Sequence, residues 1–314
     1  MQIDFLKTHG SGNDFPLIDA RALTLADADW ARIAVALADR GGSVGGDGIL
    51  LLTAGDATHD FGMRMFNSDG SEAETCLNGL RCVARAGFEA LGLDAARVRL
   101  KTSDAAVARD PELAPGVVTI REVAGPVDLT VAHWPLRGAA ERIVEAAVPQ
   151  LGSDRLFTAV AIPNPHLVSF VEAVDEAELV ALGEQCEAAP AWLPNRANVS
   201  FVEVRGSNML FVRTFERGVG LTDSCGSAMA ASTYAACLTR RCGFGTEITV
   251  LNRGGLVRAK AGEDGMVRLS GNATVEFAGS VAVDLAARTA GPVRVTQQYD
   301  AESAAWRALV DTIS

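Results

Sequence analysis

Residues 64–76 read RMFNSDGSEAETC and residues 213–225 read RTFERGVGLTDSC. In each stretch an arginine precedes a phenylalanine by two positions, and that phenylalanine precedes a cysteine by ten. Each pattern is typical of a strand, a glycine-containing turn and a helix that starts near the cysteine. The second stretch follows the first after about half of the 314-residue chain. This spacing predicts two related domains, each presenting a cysteine at a helix start.

The first helix is predicted to begin near Cys76 and to stop at Gly92. Apolar residues recur within it at helical spacing. Arg81, Arg85 and Glu89 are predicted to form a stripe that faces solvent.

The second helix is predicted to begin at Cys225, with Ser224 as its N-cap. Its sequence is rich in alanine and serine, and small residues allow a helix to pack closely against a surrounding sheet. Gly125-Pro126 is the predicted boundary between the two domains.

The composition disfavours several classes of binding partner. The net charge of −11 disfavours nucleic acid and anionic membranes, because both attract clusters of lysine and arginine. No apolar run reaches the roughly 18 residues of a membrane span, and the N-terminus does not resemble a signal peptide. We therefore expect a cytoplasmic protein.

Six cysteines have to be explained as core residues or as reactive thiols. None forms a Cys-x-x-Cys pair, and a chain of this length needs no disulfide framework, which favours a reducing compartment. Four are predicted to be buried core residues: Cys82, Cys186, Cys237 and Cys242.

The remaining two, Cys76 and Cys225, suit a stereoinversion. Inverting an α-carbon requires a base on one face and an acid on the other, so one thiolate and one thiol can exchange these roles. A helix start lowers the pKa of a cysteine, and its N–H groups can hold a substrate carboxylate while negative charge develops there. The sequence thus predicts a two-thiol amino-acid epimerase.

The residues around both cysteines resemble the diaminopimelate epimerase family, pyridoxal-phosphate-independent enzymes of lysine and peptidoglycan precursor synthesis. Seven stretches carry the resemblance in the family's order: KTHGSGNDF (7–15), GGDG (45–48), FNSDGSE (66–72), CLNGLRC (76–82), NPH (164–166), NV (198–199), and ERGVG (216–220) running into CGS (225–227). Weaker similarity continues to about residue 284.

The resemblance implies an α/β (α+β) fold of two pseudo-symmetric domains with a cleft between them, each a curled, mainly antiparallel sheet around a central helix. The expected domains are residues 1–125, completed by strands from 275–286, and residues 126–274. Residues 287–314 are expected to be a C-terminal extension of unknown role.

The resemblance also implies the roles of the site residues. It makes Cys76 and Cys225 the acid/base pair, with His166 and Glu216 tuning the thiols. Backbone N–H groups of four residues are expected to bind the reacting carboxylate: Leu77, Asn78, Gly226 and Ser227. Five side chains are expected to bind substrate polar groups: Asn13, Asn67, Asn164, Asn198 and Arg217. The guanidinium of Arg217 suits a distal carboxylate.

Three departures from the family pattern lie near the thiols: Leu77, Leu221 and Ala228. They bear on the substrate more than on the reaction type. The leading hypothesis is epimerisation of LL- to meso-diaminopimelate, without cofactor or metal, by a homodimer. The alternatives are a racemase of another amino acid, such as histidine, on the same scaffold, and a non-catalytic amino-acid binder or thiol redox protein.

Overall fold

The computed structural model describes residues 1–134, 136–138 and 140–312. The chain forms two compact units, one of Met1–Glu122 with Ser270–Ser314 and one of Val123–Leu269. Residues 123–125, expected at the end of the first domain, thus belong to the second unit, and residues 270–274 belong to the first. The first unit therefore contains residues from both ends of the chain.

The elements of the first unit come in two runs. Those before the second unit are β1 (Gln2–Gly10), β2 (Asn13–Asp19), α1 (Asp27–Ala38), β3 (Gly48–Ala54), β4 (Phe61–Asn67), β5 (Glu72–Ala73), α2 (Leu77–Leu91), β6 (Ala95–Arg99), β7 (Asp104–Asp110) and β8 (Thr119–Ala124), the last of which ends just inside the second unit.

The second unit contains short 3₁₀ helices at Val131–His133 and Pro149–Leu151. Its other elements are β9 (Ala146–Ala147), β10 (Leu156–Ala161), β11 (Pro165–Val171), α3 (Glu176–Glu187), β12 (Asn198–Gly206), β13 (Met209–Glu216), β14 (Gly220–Thr222), α4 (Gly226–Leu238), β15 (Ile248–Asn252), β16 (Gly255–Ala261) and β17 (Val267–Asn272), the last of which ends inside the first unit. The chain then continues in the first unit with β18 (Thr274–Asp284), β19 (Thr289–Ala290), β20 (Arg294–Gln298) and α5 (Asp300–Asp311).

Strands pair in the same order in both units. In the first, β1 and β2 are antiparallel, β2 and β3 parallel, β3 and β4 antiparallel, β4 and β6 parallel, and β6 and β7 antiparallel. In the second, the corresponding strands are β10, β11, β12, β13, β15 and β16, with the same alternation. A helix lies in each parallel crossover, as is usual for such connections. The predicted duplication is confirmed at the level of topology.

The register of the repeated stretches also matches. Phe66 pairs with Ile49 on β3 and with Glu72 on β5. Phe215 pairs in the same way with Val199 on β12 and with Leu221 on β14. Each phenylalanine strand therefore has one long and one short antiparallel neighbour before the chain enters the central helix.

Each unit curls its sheet around one helix, as predicted. Helix α2 contacts β1, β2, β3, β4, β6 and β7, and α4 contacts β10, β11, β12, β13, β15 and β16. Residues on every side of these helices are buried. The predicted solvent-facing stripe on α2 is therefore wrong for Arg81 and Arg85, both of which are buried and ion-paired, because strands cover that face too.

The segment expected to be an extension packs onto the first unit. Strand β20 pairs antiparallel with β18, and α5 contacts β18. Trp306 of α5 is buried, with its ring 5.7 Å from that of His9. The carboxylate of Glu302 accepts two hydrogen bonds from Arg85, at 2.5 and 2.7 Å. These contacts tie the tail to β1 and to the central helix α2.

Candidate active site

Cys76 is the N-cap of α2, as its extended backbone conformation shows. Its Sγ accepts the backbone N–H of Gly79 at 3.3 Å, and its carbonyl accepts the first helical hydrogen bond, from Leu80, at 2.8 Å. The predicted helix start is confirmed. The N–H groups of Leu77 and Asn78 belong to the first turn of the helix and come before that first bond. They are the donors expected to hold a carboxylate.

Asn13, at the start of β2, lies beside this thiol. The Cys76 thiol donates to Asn13 Oδ1 at 3.6 Å, and Asn13 Nδ2 donates to the carboxylate of Asp47. An ionised carboxylate only accepts hydrogen bonds, so Asp47 fixes the amide with its oxygen towards the sulfur. Arg40 holds Asp47 in turn, at 2.6 Å. The sequence placed Asp47 in a matching motif but gave it no role.

Asn67, also expected at the site, lies at the end of β4. Its backbone N–H donates to the carbonyl of Ser71 at 2.8 Å, and its Nδ2 donates to Ser71 Oγ at 3.0 Å. These bonds close the turn between β4 and β5. Asn67 is thus held in place by the turn that leads to Cys76.

Cys225 is the N-cap of α4 and only 7% exposed. The predicted N-cap, Ser224, is wrong: its hydroxyl accepts from Asn252 Nδ2 at 3.0 Å instead. The helix starts at Gly226, and the Cys225 sulfur lies 3.5 Å from the hydroxyl of Ser227. Gly226 and Ser227 are therefore the first two residues of α4, as Leu77 and Asn78 are of α2.

The expected lowering of the Cys225 pKa is wrong. Burial raises the pKa of this thiol well above its ordinary value, and the carboxylate of Glu216 raises it further. Hydrogen bonds from Ser227 and the backbone of Ala228 oppose this shift without cancelling it. Burial is the largest of these effects, so the surroundings of Cys225 favour the protonated thiol.

Glu216, the last residue of β13, is tied to the neighbouring strand. Its Oε1 accepts from the Thr222 hydroxyl at 2.6 Å. Since its charge acts on Cys225, the structure brings these two predicted residues together. Leu221, one of the departures from the family pattern, packs against the core of the second unit.

The other predicted residues of the second unit form one cluster. His166 Nε2 lies 3.1 Å from Asn164 Oδ1, and Asn198 Nδ2 lies 3.4 Å from His166 Nε2 and 3.5 Å from its Nδ1. Asn198 Oδ1 accepts the backbone N–H of Arg217 at 2.9 Å. The guanidinium of Arg217 donates to the carbonyl of Asn195 at 3.1 Å. This cluster joins β11, β12 and the turn after β13.

His166 is fully buried. Burial, reinforced by the positive charge of Arg217, lowers its pKa to about 3. It is therefore neutral near pH 7, and the Asn164 oxygen favours the tautomer in which Nε2 carries the proton and donates to it. A neutral imidazole can orient the two amides but adds no charge.

Metal-binding clusters and helices that could span a membrane are absent from the described residues. Among residues 1–134, 136–138 and 140–312, no three or more histidine, cysteine or acidic side chains are grouped as a metal site requires. None of the helices placed in those ranges is long and apolar enough to cross a membrane.

Comparison with known proteins identifies the relatives of this chain. The family profile described as diaminopimelate epimerase matches residues 5–108 and 158–276. A diaminopimelate epimerase of Clostridium acetobutylicum is 39% identical over 290 residues, 90% of this chain and 87% of that protein. That of Listeria innocua is 36% identical over 322 aligned positions, covering 99% and 97%.

Solved structures show the same fold at much lower identity. A Bacillus anthracis phenazine biosynthesis protein of the PhzF family has a TM-score of 0.64 at 14% identity, covering 90% of this chain and 100% of that one. A hydroxyproline epimerase from Agrobacterium vitis has a TM-score of 0.61 at 11% identity, covering 99% and 98%. By the family profile and by these sequence relatives, the chain belongs to the diaminopimelate epimerase family.

Proposed function

We propose that this chain is an isomerase that epimerises LL-diaminopimelate to meso-diaminopimelate with two cysteines and without pyridoxal phosphate. One observation carries the proposal: Cys76 and Cys225 occupy the same position, the N-cap of the central helix, in two units with the same strand pairing. The family membership and the names of the relatives supply the substrate.

In the proposed reaction one cysteine acts as a thiolate and the other as a thiol. The thiolate removes the α-proton, leaving negative charge that spreads from the α-carbon into the carboxylate. The second thiol then returns its own proton to the opposite face, so the α-carbon is inverted and the two cysteines have exchanged protonation states. Backbone N–H groups at the two helix starts stabilise the charge on the carboxylate.

Polar side chains are proposed to bind the rest of the substrate. They are Asn13, Asn67, Asn164, Asn198 and Arg217. Arg217 suits the distal carboxylate because a guanidinium can pair with both carboxylate oxygens. Its backbone N–H donates to Asn198 Oδ1 at 2.9 Å, and this bond holds the backbone from which the Arg217 side chain extends.

A racemase acting on another amino acid is the second candidate, because Leu77 and Ala228 adjoin the thiols. Leu77 is buried at the first position of α2, so its side chain adds bulk next to Cys76. Leu221 favours neither candidate, since it packs on the core of its own unit. A non-catalytic amino-acid binder or a thiol redox protein is the third candidate.

Exchange of the α-proton with solvent deuterium tests these candidates directly. The protein is incubated in D₂O with LL-diaminopimelate, meso-diaminopimelate, histidine, lysine and glutamate, and deuterium at Cα is measured by mass spectrometry. Rapid exchange confined to the diaminopimelates is expected. Exchange only with histidine or glutamate would favour the second candidate, and no exchange with any of them would favour the third.

We further propose a cytoplasmic homodimer that supplies lysine and peptidoglycan synthesis. All six cysteines are free thiols, which suits a reducing compartment. Light scattering after size-exclusion chromatography tests the stoichiometry: a mass near twice the 32.8 kDa of one chain is expected, and a single-chain mass would overturn the dimer.

A further inference from the structure

Arg81 of α2 lies one turn beyond Cys76 and has no exposed surface. Its guanidinium makes four hydrogen bonds within the first unit. One goes to Glu122 Oε1 at 2.8 Å and one to the Asn78 side-chain oxygen at 2.7 Å. The others go to Ser11 Oγ and to the Asn272 carbonyl, each at 3.2 Å. One buried cation thus joins four separate segments of the chain.

The counter-ion of Arg81 is costly to bury. Glu122 is also 0% exposed, and its Oε2 has no hydrogen-bond partner in the described part of the chain. Burial raises the pKa of Glu122 to about 7, despite the guanidinium beside it. Apolar side chains of similar volume often replace a buried ion pair with no loss of stability. Stability alone is therefore a weak reason for this pair.

The groups that Arg81 holds belong to the candidate site. Asn78 is the second residue of α2, and its N–H is one of the proposed carboxylate donors. Ser11 lies in the turn between β1 and β2, two residues before Asn13, whose oxygen faces the Cys76 thiol. Arg81 therefore connects the helix start to the turn that carries Asn13.

The turn and the helix are in close contact at this point. A Cβ on Gly10 would lie 2.6 Å from the Asn78 carbonyl oxygen and 3.1 Å from Arg81 Nη2. Ser11 has a φ of +52°, which non-glycine residues rarely adopt, and its N–H donates to Asn272 Oδ1 at 2.7 Å. Such a turn needs surrounding hydrogen bonds to persist, and Arg81 supplies one of them.

Helix α4 has no corresponding device. Its sequence, GSAMAASTYAACL, contains no charged residue. The second unit also buries an arginine, Arg213, but that residue lies on β13 and pairs with Glu176 and Asp223. A buried arginine within the central helix is thus a feature of α2 and not of α4, and the duplicated fold does not require it.

We propose that Arg81, with Glu122 as its counter-ion, is a positioning residue that holds the β1–β2 turn against the start of α2. It thereby sets the place of the Asn13 oxygen and of the first N–H groups of α2 relative to the Cys76 sulfur. The catalytic consequence rests on the proposed function, whereas the structural one does not.

The test replaces both charges together, in the double variant Arg81→Met with Glu122→Leu. We expect it to fold with at most a modest loss of melting temperature, because no charge is left buried without a partner although the oxygens of Asn78 and Asn272 lose a donor. Its kcat for diaminopimelate should fall about 100-fold with little change in KM, since misplacement of reacting groups by about 1 Å has that effect. Amide hydrogen exchange should become faster in residues 10–14 and 76–80.

A matched control lies one turn further along the same helix. Arg85 pairs with Glu302 in a bidentate, largely buried ion pair, with side chains 7% and 20% exposed, that does not contact Asn78 or Ser11. Arg85→Met with Glu302→Leu should leave kcat and the exchange of residues 10–14 and 76–80 unchanged. If this control lost as much kcat as the Arg81 pair, the positioning role would be overturned.

A single replacement covers the case in which the double variant does not fold. Arg81→Lys keeps the charge beside Glu122, but one ammonium cannot reproduce the fork that reaches Asn78, Ser11 and Glu122 together. It should show the same changes to a smaller extent. Unchanged kcat and unchanged exchange in a folded Arg81 variant would overturn the proposal. Because hydrogen exchange needs no substrate, it tests Arg81 even if diaminopimelate proves not to be turned over.

Discussion

The sulfur of Cys76 accepts the backbone N–H of Gly79 at 3.3 Å, so a thiol serves as the side-chain cap of α2. The sulfur of the equivalent residue, Cys225, lies 3.5 Å from the Ser227 hydroxyl. Two cysteines at equivalent positions therefore have different surroundings. One is held by a backbone donor at a half-exposed helix start, and the other is buried beside a hydroxyl and a carboxylate.

The cap bond gives a first prediction. Cys76→Ser and Cys76→Ala should both abolish epimerisation, since neither replacement supplies a thiol. Serine keeps a side-chain acceptor at the N-cap whereas alanine removes it, so the alanine variant should be less stable by about 1 kcal/mol. Urea denaturation of the two variants measures the difference. Equal stabilities would show that a side-chain acceptor at this N-cap does not stabilise the helix.

Replacements of Cys225 provide the control for that prediction. Because Cys225 is only 7% exposed, its serine variant buries a hydroxyl, and its alanine variant should therefore not be less stable than the serine variant. Both should still be inactive. Full activity in either Cys225 variant would remove the two-thiol mechanism while leaving the cap argument intact.

The duplication was accessible from the sequence because strand, turn and helix signals recur in one order. Arg64 and Arg213 each precede the paired phenylalanine by two positions, and the strand register around Phe66 and Phe215 repeats accordingly. Local patterns of this kind depend on neighbours in sequence. The structure shows the same repeat because each unit buries its own central helix.

The buried arginines of α2 could not be found in the same way. An amphipathic pattern assigns charged residues to solvent, and this is correct for a helix that lies on a sheet. Helix α2 is surrounded by strands, and the partners of Arg81 and Arg85 are Glu122 and Glu302, far away in sequence. Only the folded chain shows that charges on this face are paired.

The raised pKa of Cys225 could not be predicted from the sequence either. The helix start is a local feature that favours a thiolate, but burial of the sulfur depends on the whole unit. Similarly, the sequence placed His166 beside the thiols as a tuning group without showing its burial. The structure makes it a neutral residue that binds two asparagines.

Burial of His166 leads to a second prediction, on acid stability. Its pKa is about 3 in the folded protein and about 6.5 when unfolded, so below pH 6.5 the unfolded chain binds a proton that the folded chain refuses. Its contribution to stability is present above that pH and is lost as the pH falls towards 3. His166→Asn should therefore reduce the slope of unfolding free energy against pH by up to about 1.4 kcal/mol per pH unit. Urea denaturation between about pH 4 and pH 7 measures this slope, and identical slopes for the two proteins would contradict the prediction.

A third prediction concerns alkaline pH and the buried Cys186. Burial raises the pKa of this thiol to about 12, whereas in the unfolded chain it is about 8.5. As the pH rises above the unfolded value, the unfolded chain releases a proton that the folded chain keeps, and stability is lost. Cys186→Ala should lower stability at pH 7 through the cavity it leaves, yet its stability should decline less steeply above about pH 8.5. Parallel declines in the two proteins would count against a raised thiol pKa.

The final prediction separates the two groups that act on Cys225. The Ser227 hydroxyl lowers the pKa of this thiol, and the Glu216 carboxylate raises it. Ser227→Ala should therefore shift the pKa of Cys225 upward, and Glu216→Gln should shift it downward. Both replacements are small and adjoin the same sulfur, so opposite shifts would not be explained by a general change in packing. The rate of Cys225 modification by a small thiol reagent, followed by peptide mass spectrometry across a pH series, reports the ionisation without any substrate. Under the proposed function, the limb of the kcat/KM profile that reports Cys225 should move in the same two directions. Shifts of one sign in both variants would mean that altered packing, rather than hydrogen bonding and charge, controls this thiol.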